Sequence, residues 1–421
     1  MEKQNTSIEE LNWQMVIAQL PSCWKEMAQA HKLFPRQFPS YMGTKITDIE
    51  TPMRLVLHHA GTGASLKVTT AMAAAAGIVD ISHVGLHKWM VKIGGYLADL
   101  CGHLAHDNAR FSAAQWAGYE VVAVDATALT CPGAEGTTAR VHYAIRLADL
   151  HPLELQVTDQ RGGETYRRFE EVGHRKQICI GDRVYANPPG VAFLKERGAE
   201  VLVRYNRGSL PLYEESGHLF DSARELSCLK KPLAMREWEV WVRPQGADSI
   251  RGRLCAVRLP EDKAEEAMRR VRREYGKDTT AEMLEAARYV AVFTTVPACD
   301  LNTARVLELY CLRWQVELFI KSDKSIGGLD GVPNFKPETI YSWICAKQLL
   351  LLIARKIASA NVAIPPSAVE VTKLSLLPTN LPSARLQSAY QRRGLAGYGL
   401  GVASHSRRTV TDQAAAYPDC S

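Results

Sequence analysis

The chain has 421 residues, of which 46% are hydrophobic and 23% charged. At about 150 residues per domain this gives two or three folding units with full cores, and it excludes a largely disordered protein. The net charge of +6 permits a polyanionic partner without requiring one, and ten cysteines without C-x-x-C pairs or His/Cys clusters at zinc spacing point to reduced thiols in a cytoplasmic protein. Glu2, Glu9 and Glu10 interrupt the opening residues, so no signal peptide is expected. The most apolar stretches, Ala71–Val79 and Leu349–Ala354, fall far short of the roughly 20 residues of a membrane helix.

Residues 1–117 read as helical, with runs at Thr51–Leu57, Ser65–Ala76 and Ser82–Leu100 separated by glycine. Either a helix-turn-helix unit or a plainly packed helical subdomain would give this pattern. At Tyr119 the period changes. Tyr119–Val124 is predicted as a strand ending in Asp125, followed by strands at Arg140–Leu147 and Leu153–Thr158 in an antiparallel meander. A short helix at Thr165–Val172, a strand at Gln177–Ile180 running into Gly181-Asp182, a helix at Gly190–Arg197 and a strand at Glu200–Tyr205 complete residues 118–206. This order is that of a ribonuclease-H-like sheet, an α/β fold in which the ends of the first and fourth strands lie side by side, so Asp125 and Asp182 are expected to meet.

Residues 207–288 read as a β-rich insertion, with strands at Met235–Val242 and Arg253–Leu259 and a charged helix at Asp262–Tyr275. Residues 289–361 resume the core with a strand at Tyr289–Thr295, one long helix at Asn302–Lys324 and an apolar helix at Tyr341–Ala360. Residues 362–421 read as a basic, flexible tail, with six Lys/Arg against two Asp between 371 and 421. Residues 230–275 carry twelve Lys/Arg against eight acids. Both patches could neutralise phosphates or simply be solvated.

On a wheel turning about 100° per residue, Tyr310, Arg313, Glu317, Lys321 and Lys324 share one stripe of the 302–324 helix, with apolar residues on both flanks. A buried stripe of opposite charges needs something to offset it, either an internal Arg313–Glu317 ladder or a ligand. Asp125 and Asp182 each follow a buried strand, where a lone aspartate commonly forms a turn. Together with Glu317 they supply three carboxylates at one point, a donor set suited to Mg2+. Two such ions about 3.5–4 Å apart serve in-line phosphoryl displacement, and Mn2+ can substitute. His142 and His151 fit strand-surface or turn positions and are read as structural, while Glu164, in the Gly162-Gly163-Glu164 turn, either approaches the site or is a solvent-exposed turn acid, the second being the reading taken.

The string YCLRWQVELFIKSDKS holds Tyr310-x2-Arg313-x3-Glu317-x6-Lys324 and resembles the Tyr-Arg-Glu-Lys signature of the insertion-sequence-four family of DDE transposases. VVAVDAT around Asp125 and ICIGDRVYA around Asp182 look like its two aspartate motifs, with Val184 where that family has glycine. The resemblance covers roughly residues 50–360. It implies Asp125, Asp182 and Glu317 as metal ligands of a ribonuclease-H-like core, and Tyr310, Arg313 and Lys324 as contacts to the DNA backbone. It further implies cut-and-paste chemistry on double-stranded DNA, at terminal inverted repeats and a target, by a dimer in a synaptic complex within a bacterial cytoplasm. Residues 1–117 become a DNA-end-binding region. A nuclease without strand transfer, or a repressor keeping only end binding, would share much of this sequence.

Alternation along Arg236–Arg243 puts Trp238 with Val240 and Val242, and Trp241 with Glu237, Glu239 and Arg243. Trp238 reads as core. In the family resembled the insertion lies against the active site, so Trp241 is a candidate platform for a base displaced from the stack. Packing under arginine stems or against the 262–275 helix is the alternative for Trp241.

Overall fold

The computed structural model describes residues 8–34, 46–107, 116–333 and 336–361. Its centre is one mixed sheet of eight strands: β1 (Glu120–Leu129), β2 (Ala139–Arg146), β3 (His151–Asp159), β4 (Gln177–Gly181), β5 (Glu200–Arg204), β6 (Met235–Val242), β7 (Ile250–Arg258) and β8 (Tyr289–Thr294). They lie in the order β3-β2-β1-β4-β5-β8-β7-β6. β1, β2 and β3 form the antiparallel meander, while β4 joins β1, and β5 joins β4, in parallel. This is the ribonuclease-H-like order. Val121 to Val124 are buried without alternation, because helices cover both faces of the parallel part.

The strands of the 207–288 segment do not form a separate layer. β7 pairs antiparallel with β8, and β6 with β7, so they lengthen the core sheet on the side away from β1. β6 is the edge, and its exposed Arg236, Glu237 and Glu239 give it the charged outer strand that discourages further pairing.

The helices are α1 (Ile8–Ile17), α2 (Trp24–Ala30), α3 (Glu50–Thr62), α4 (Leu66–Ala75), α5 (His83–Asp107), α6 (Pro188–Glu196), α7 (Ser222–Ser227), α8 (Glu261–Tyr275), α9 (Ala281–Ala286), α10 (Thr303–Cys311), α11 (Trp314–Ser325) and α12 (Pro337–Asn361). α3 ends on Gly63 in the left-handed conformation, and Ser65 caps α4 by accepting from Val68 N–H at 3.3 Å. α5 then packs on both, and α12 on α5 and α3. α6 provides the crossover between β4 and β5, opened by Asn187 accepting from Gly190 N–H at 2.9 Å with Pro188 in its first turn.

The expected Thr165–Val172 helix is a single 3-10 turn, Tyr166–Arg168. Tyr166, Phe169 and Val172 are buried three residues apart, a spacing that mimics a helix, but Phe169 is already extended. No described helix is long and apolar enough to cross a membrane. The tail expected at 362–421 lies outside the described residues.

Candidate active site

The parallel ladder pairs Ala123 with Ile180, and Gly181 with Val203. Continuing that register by two residues sets Asp125 beside Asp182, about 4.8 Å away, and one more places Arg204 beside Asp182. β1 runs on past Asp125 to Leu129, because its other neighbour β2 keeps pairing there, with Tyr143 opposite Asp125. Asp125 therefore stands inside a strand, at the row where the parallel partner has ended. Gly181 makes room for this turn, since a Cβ there would lie 2.5 Å from Tyr166 Oη. Asp182 closes the turn by accepting from Val184 N–H at 2.8 Å. Val184 is exposed and is not among the residues with positive φ, so glycine is not needed in its place.

The expected single helix at 302–324 is two helices, α10 and α11, broken at Leu312-Arg313. Across the break the amides of Leu312, Arg313, Gln315 and Val316 bond three residues back, a local 3-10 tightening. One expected apolar flank is also more open than its sequence suggests, with Leu318 41% exposed. The break starts α11 at Trp314 and puts Arg313 at its mouth. From there one guanidinium nitrogen binds Glu317, another lies 3.9 Å from Asp125 Oδ2, and the group sits 5.9 Å from the Tyr310 ring. Arg313 Nε is buried without a hydrogen-bond partner. Tyr310, Arg313 and Glu317 thus gather with Asp125 and Asp182.

Burial pushes the Asp125 carboxyl up to about 7, and the negative charges of Asp182 and Glu317 add to the shift. The Ala126 N–H and Arg313 act in the opposite direction. A buried acid whose ionisation is opposed by negative neighbours leaves a place that a divalent cation would fill, and oxygen donors suit a hard ion. By charge and donor chemistry the residues fit a metal. As placed, no three His, Cys, Asp or Glu among the described residues converge on one ion, and the Glu317 carboxylate is engaged by Arg313.

Lys324 lies beyond this cluster, half-buried, and donates to Ala128 O on β1 at 3.1 Å. Trp241 does not join the site. Its ladder partners run through Arg251 to the row of Val121, four residues down β1 from Asp125, and β6 is five strands from β1, about 24 Å at 4.8 Å per strand. That distance from Asp125 speaks against the expected base platform: Trp241 is half-buried near the sheet edge, and its backbone bridges that of Tyr213. Trp238 is core and donates to Glu225 at 2.8 Å.

Glu164 is not the exposed turn acid its Gly-Gly context suggests. It lies 3.7 Å from Arg140 Nε with 20% of its side chain exposed, and burial and the charge of Asp182 raise its pKa. The turn brings it inward because Gly162 packs on Thr158, where a Cβ would stand 2.1 Å from the hydroxyl. His142 is fully buried, not on a strand surface, and meets Thr158 Oγ1 at 2.9 Å, while His151 meets Ala105 O at 2.8 Å; both are structural.

Residues 116–352 match the family described as transposase DDE domain. A protein of Escherichia coli K12 named as transposase InsL for insertion sequence element IS186A is 30% identical over 336 residues, 76% of this chain and 88% of that protein. The transposase for insertion sequence element IS421 of Escherichia coli is 30% identical over 337 residues, with the same coverage of both chains. Among solved structures, a piggyBac transposase synaptic complex with hairpin DNA matches with a TM-score of 0.40 and 8% identity, over 96% of this chain and 88% of that one, a likeness too slight to bear on function. With a family domain spanning the strands and helices that gather Asp125, Asp182 and Glu317, the chain belongs to the DDE transposases.

Proposed function

We propose that this transposase cleaves DNA at the terminal inverted repeats of an insertion sequence and transfers the freed strand to a target, with Asp125, Asp182 and Glu317 as metal ligands. The observation that carries the reading is the approach of Asp182, at the β4 end, and Glu317, on α11, to Asp125 on β1, whose carboxyl burial and these two negative charges push up to about 7. The family's chemistry is metal-dependent; here two Mg2+ ions, or Mn2+ in their place, would activate the attacking oxygen and stabilise the leaving one. Each step forms one P–O bond, to a water or 3′-hydroxyl oxygen, and breaks another to the ribose 3′ oxygen.

The chain's own residues hold the DNA for that exchange. Arg313 offers a planar fork to a phosphate once it releases Glu317, Tyr310 packs beneath it, and Lys324 supplies a point charge further along α11. The helical region, 1–117, binds the DNA end. In support, α3, α4 and α5 follow one another through short turns, and α5 exposes His83, Lys88 and Lys92 in a segment, 61–98, whose sole acid is Asp80. The remaining division is into core segments 118–206 and 289–361 around the 207–288 insertion. A dimer joins the two ends in the synaptic complex, on bacterial DNA in the cytoplasm.

Cleavage of an intact end and strand transfer from a precleaved one, assayed side by side, test this reading. Joined product from the intact chain, absent from the Asp125→Ala variant, is expected; nicking with no joining would make the protein a nuclease, and end binding alone a repressor.

A further inference from the structure

Tyr143, Asp323 and Gln348 are 0%, 0% and 1% exposed, and they meet one another. Tyr143 Oη donates to Asp323 Oδ2 at 3.1 Å and accepts from Gln348 Nε2 at 2.8 Å. Arg355 binds the other carboxylate oxygen of Asp323 and lays its guanidinium 3.8 Å from the Phe319 ring centre, while Phe319 meets Tyr143 edge-on at 5.8 Å. A buried carboxylate is costly unless it is both paired and hydrogen-bonded, and a fully paired one adds little net stability over apolar packing. What such a network supplies is a single arrangement of the elements it joins.

Those elements are the ones that carry the acids. Tyr143 is the cross-strand partner of Asp125. Phe319 and Asp323 lie one turn apart on α11, whose first turn holds Glu317 and whose last holds Lys324. Arg355 and Gln348 come from α12. Because the helix breaks at Leu312-Arg313, α11 is not held in rotation by α10 and needs an anchor of its own. The precision required is high. A carboxylate about 5–6 Å from a helix axis moves roughly 2 Å when the helix rolls by about 20°, and a misplacement of about 1 Å costs on the order of 100-fold in rate.

We propose that the Tyr143–Asp323–Arg355 network is the positioning device of the acid site, fixing the rotation of α11 and hence where Glu317 stands relative to Asp125. Tyr143 and Asp323 are positioning residues; neither touches the reacting groups. The proposal rests on Asp125 and Glu317 being the acids of the reaction.

The test uses the full chain in complex with an uncleaved DNA end. Tyr143→Phe keeps the ring on Phe319 and removes both hydrogen bonds of the hydroxyl. It should lower the cleavage rate constant and the Mn2+ affinity, read by electron paramagnetic resonance of the bound ion, by about 10- to 100-fold. KM for the DNA end should stay within about twofold, since the end-binding surface is untouched. Asp323→Asn leaves the Arg355 charge without its partner and should do at least as much. The neutral pair Asp323→Asn with Arg355→Gln should recover most of the Mn2+ affinity and keeps the test open if Asp323→Asn alone does not fold. A merely structural network would lower the melting temperature and leave Mn2+ affinity unchanged; that result in Tyr143→Phe overturns the proposal. Asp125→Ala and Glu317→Ala run alongside. If those two cleave normally, the acid assignment has failed; if they are inactive while Tyr143→Phe matches the natural chain, only the positioning role has failed.

Discussion

Arg313 leans over Asp125, 3.9 Å from its Oδ2, while it binds Glu317 with the other arm of the same guanidinium. A single cation therefore serves two of the three acids proposed as ligands. In low-dielectric surroundings that arrangement holds the cluster together without a metal, and it engages the carboxylate a metal would need. The internal ladder and the DNA contact read from the sequence are thus compatible as two states of one residue: Arg313 on Glu317 before metal and DNA arrive, and on phosphate afterwards.

The acids should be separable from DNA binding. Asp125→Ala, Asp182→Ala and Glu317→Ala are each expected to abolish cleavage, with end binding within about twofold of the natural chain, because a ligand and not a phosphate contact is removed. Glu317→Gln should fail as well, since a neutral amide is a poorer ligand for a hard cation. Cleavage in Mg2+ at the natural rate by any alanine variant rules that residue out.

The two basic residues should part company. Lys324 is tied only to the Ala128 carbonyl in the described contacts, so Lys324→Ala should make the salt dependence of end binding shallower by about one unit of slope, at little cost in melting temperature. Arg313→Ala should change the same slope but also expose Asp125 and Glu317 to one another, lowering stability without metal by about 1–3 kcal/mol. Equal losses of stability in both variants, with both salt slopes unchanged, would leave the ladder as the sole role.

How much of this is legible in the sequence depends on how local the cause is. The meander and the approach of Asp125 to Asp182 follow from strand order and from the apolar runs that stop at both aspartates. The break at Leu312-Arg313 does not, because Tyr310 to Trp314 contains no glycine or proline and reads as continuous helix. Trp238 and Trp241 are assigned to opposite faces by alternation alone, yet only the pairing of β6 through β7 and β8 shows how far that strand lies from β1. Glu164 reads as exposed because two glycines precede it, and its inward turn depends on Gly162 packing onto Thr158. The Tyr143–Asp323 contact joins residues 180 positions apart, beyond any periodicity.

Trp241→Ala should be silent in chemistry. With the residue at the sheet edge, on the row of Val121, nicking and the step after it should both proceed at the natural rate. Loss of a half-buried ring opposite Arg251 should cost about 1–3 kcal/mol of stability, less than a fully buried tryptophan. A defect confined to the second step, read in a time course resolving nicked from fully excised DNA, would bring the base platform back.

Asp125 gives the most direct reading of the site in the absence of metal. Unfolded, its carboxyl ionises near about 3.9; folded, burial first and then Asp182 and Glu317 raise it to about 7. Between those values the folded chain holds a proton the unfolded chain has lost. The contribution of Asp125 to stability is therefore fully present below the unfolded pKa and is lost as pH rises through about 7, beyond which the penalty is constant. Asp125→Asn carries no such penalty. With divalent ions chelated, its melting temperature relative to the natural chain should climb between about pH 4 and pH 7, gain at least about 2 °C, and level off above. Added Mg2+ should close the gap at pH 8 by stabilising the natural chain alone, because only there does the ionised carboxylate find its counter-charge. The check is scanning calorimetry of both proteins at pH 5 and pH 8, with and without Mg2+. A difference independent of pH, or equal stabilisation of both by Mg2+, would mean that Asp125 is an ordinary strand carboxylate and not the centre of the acid site.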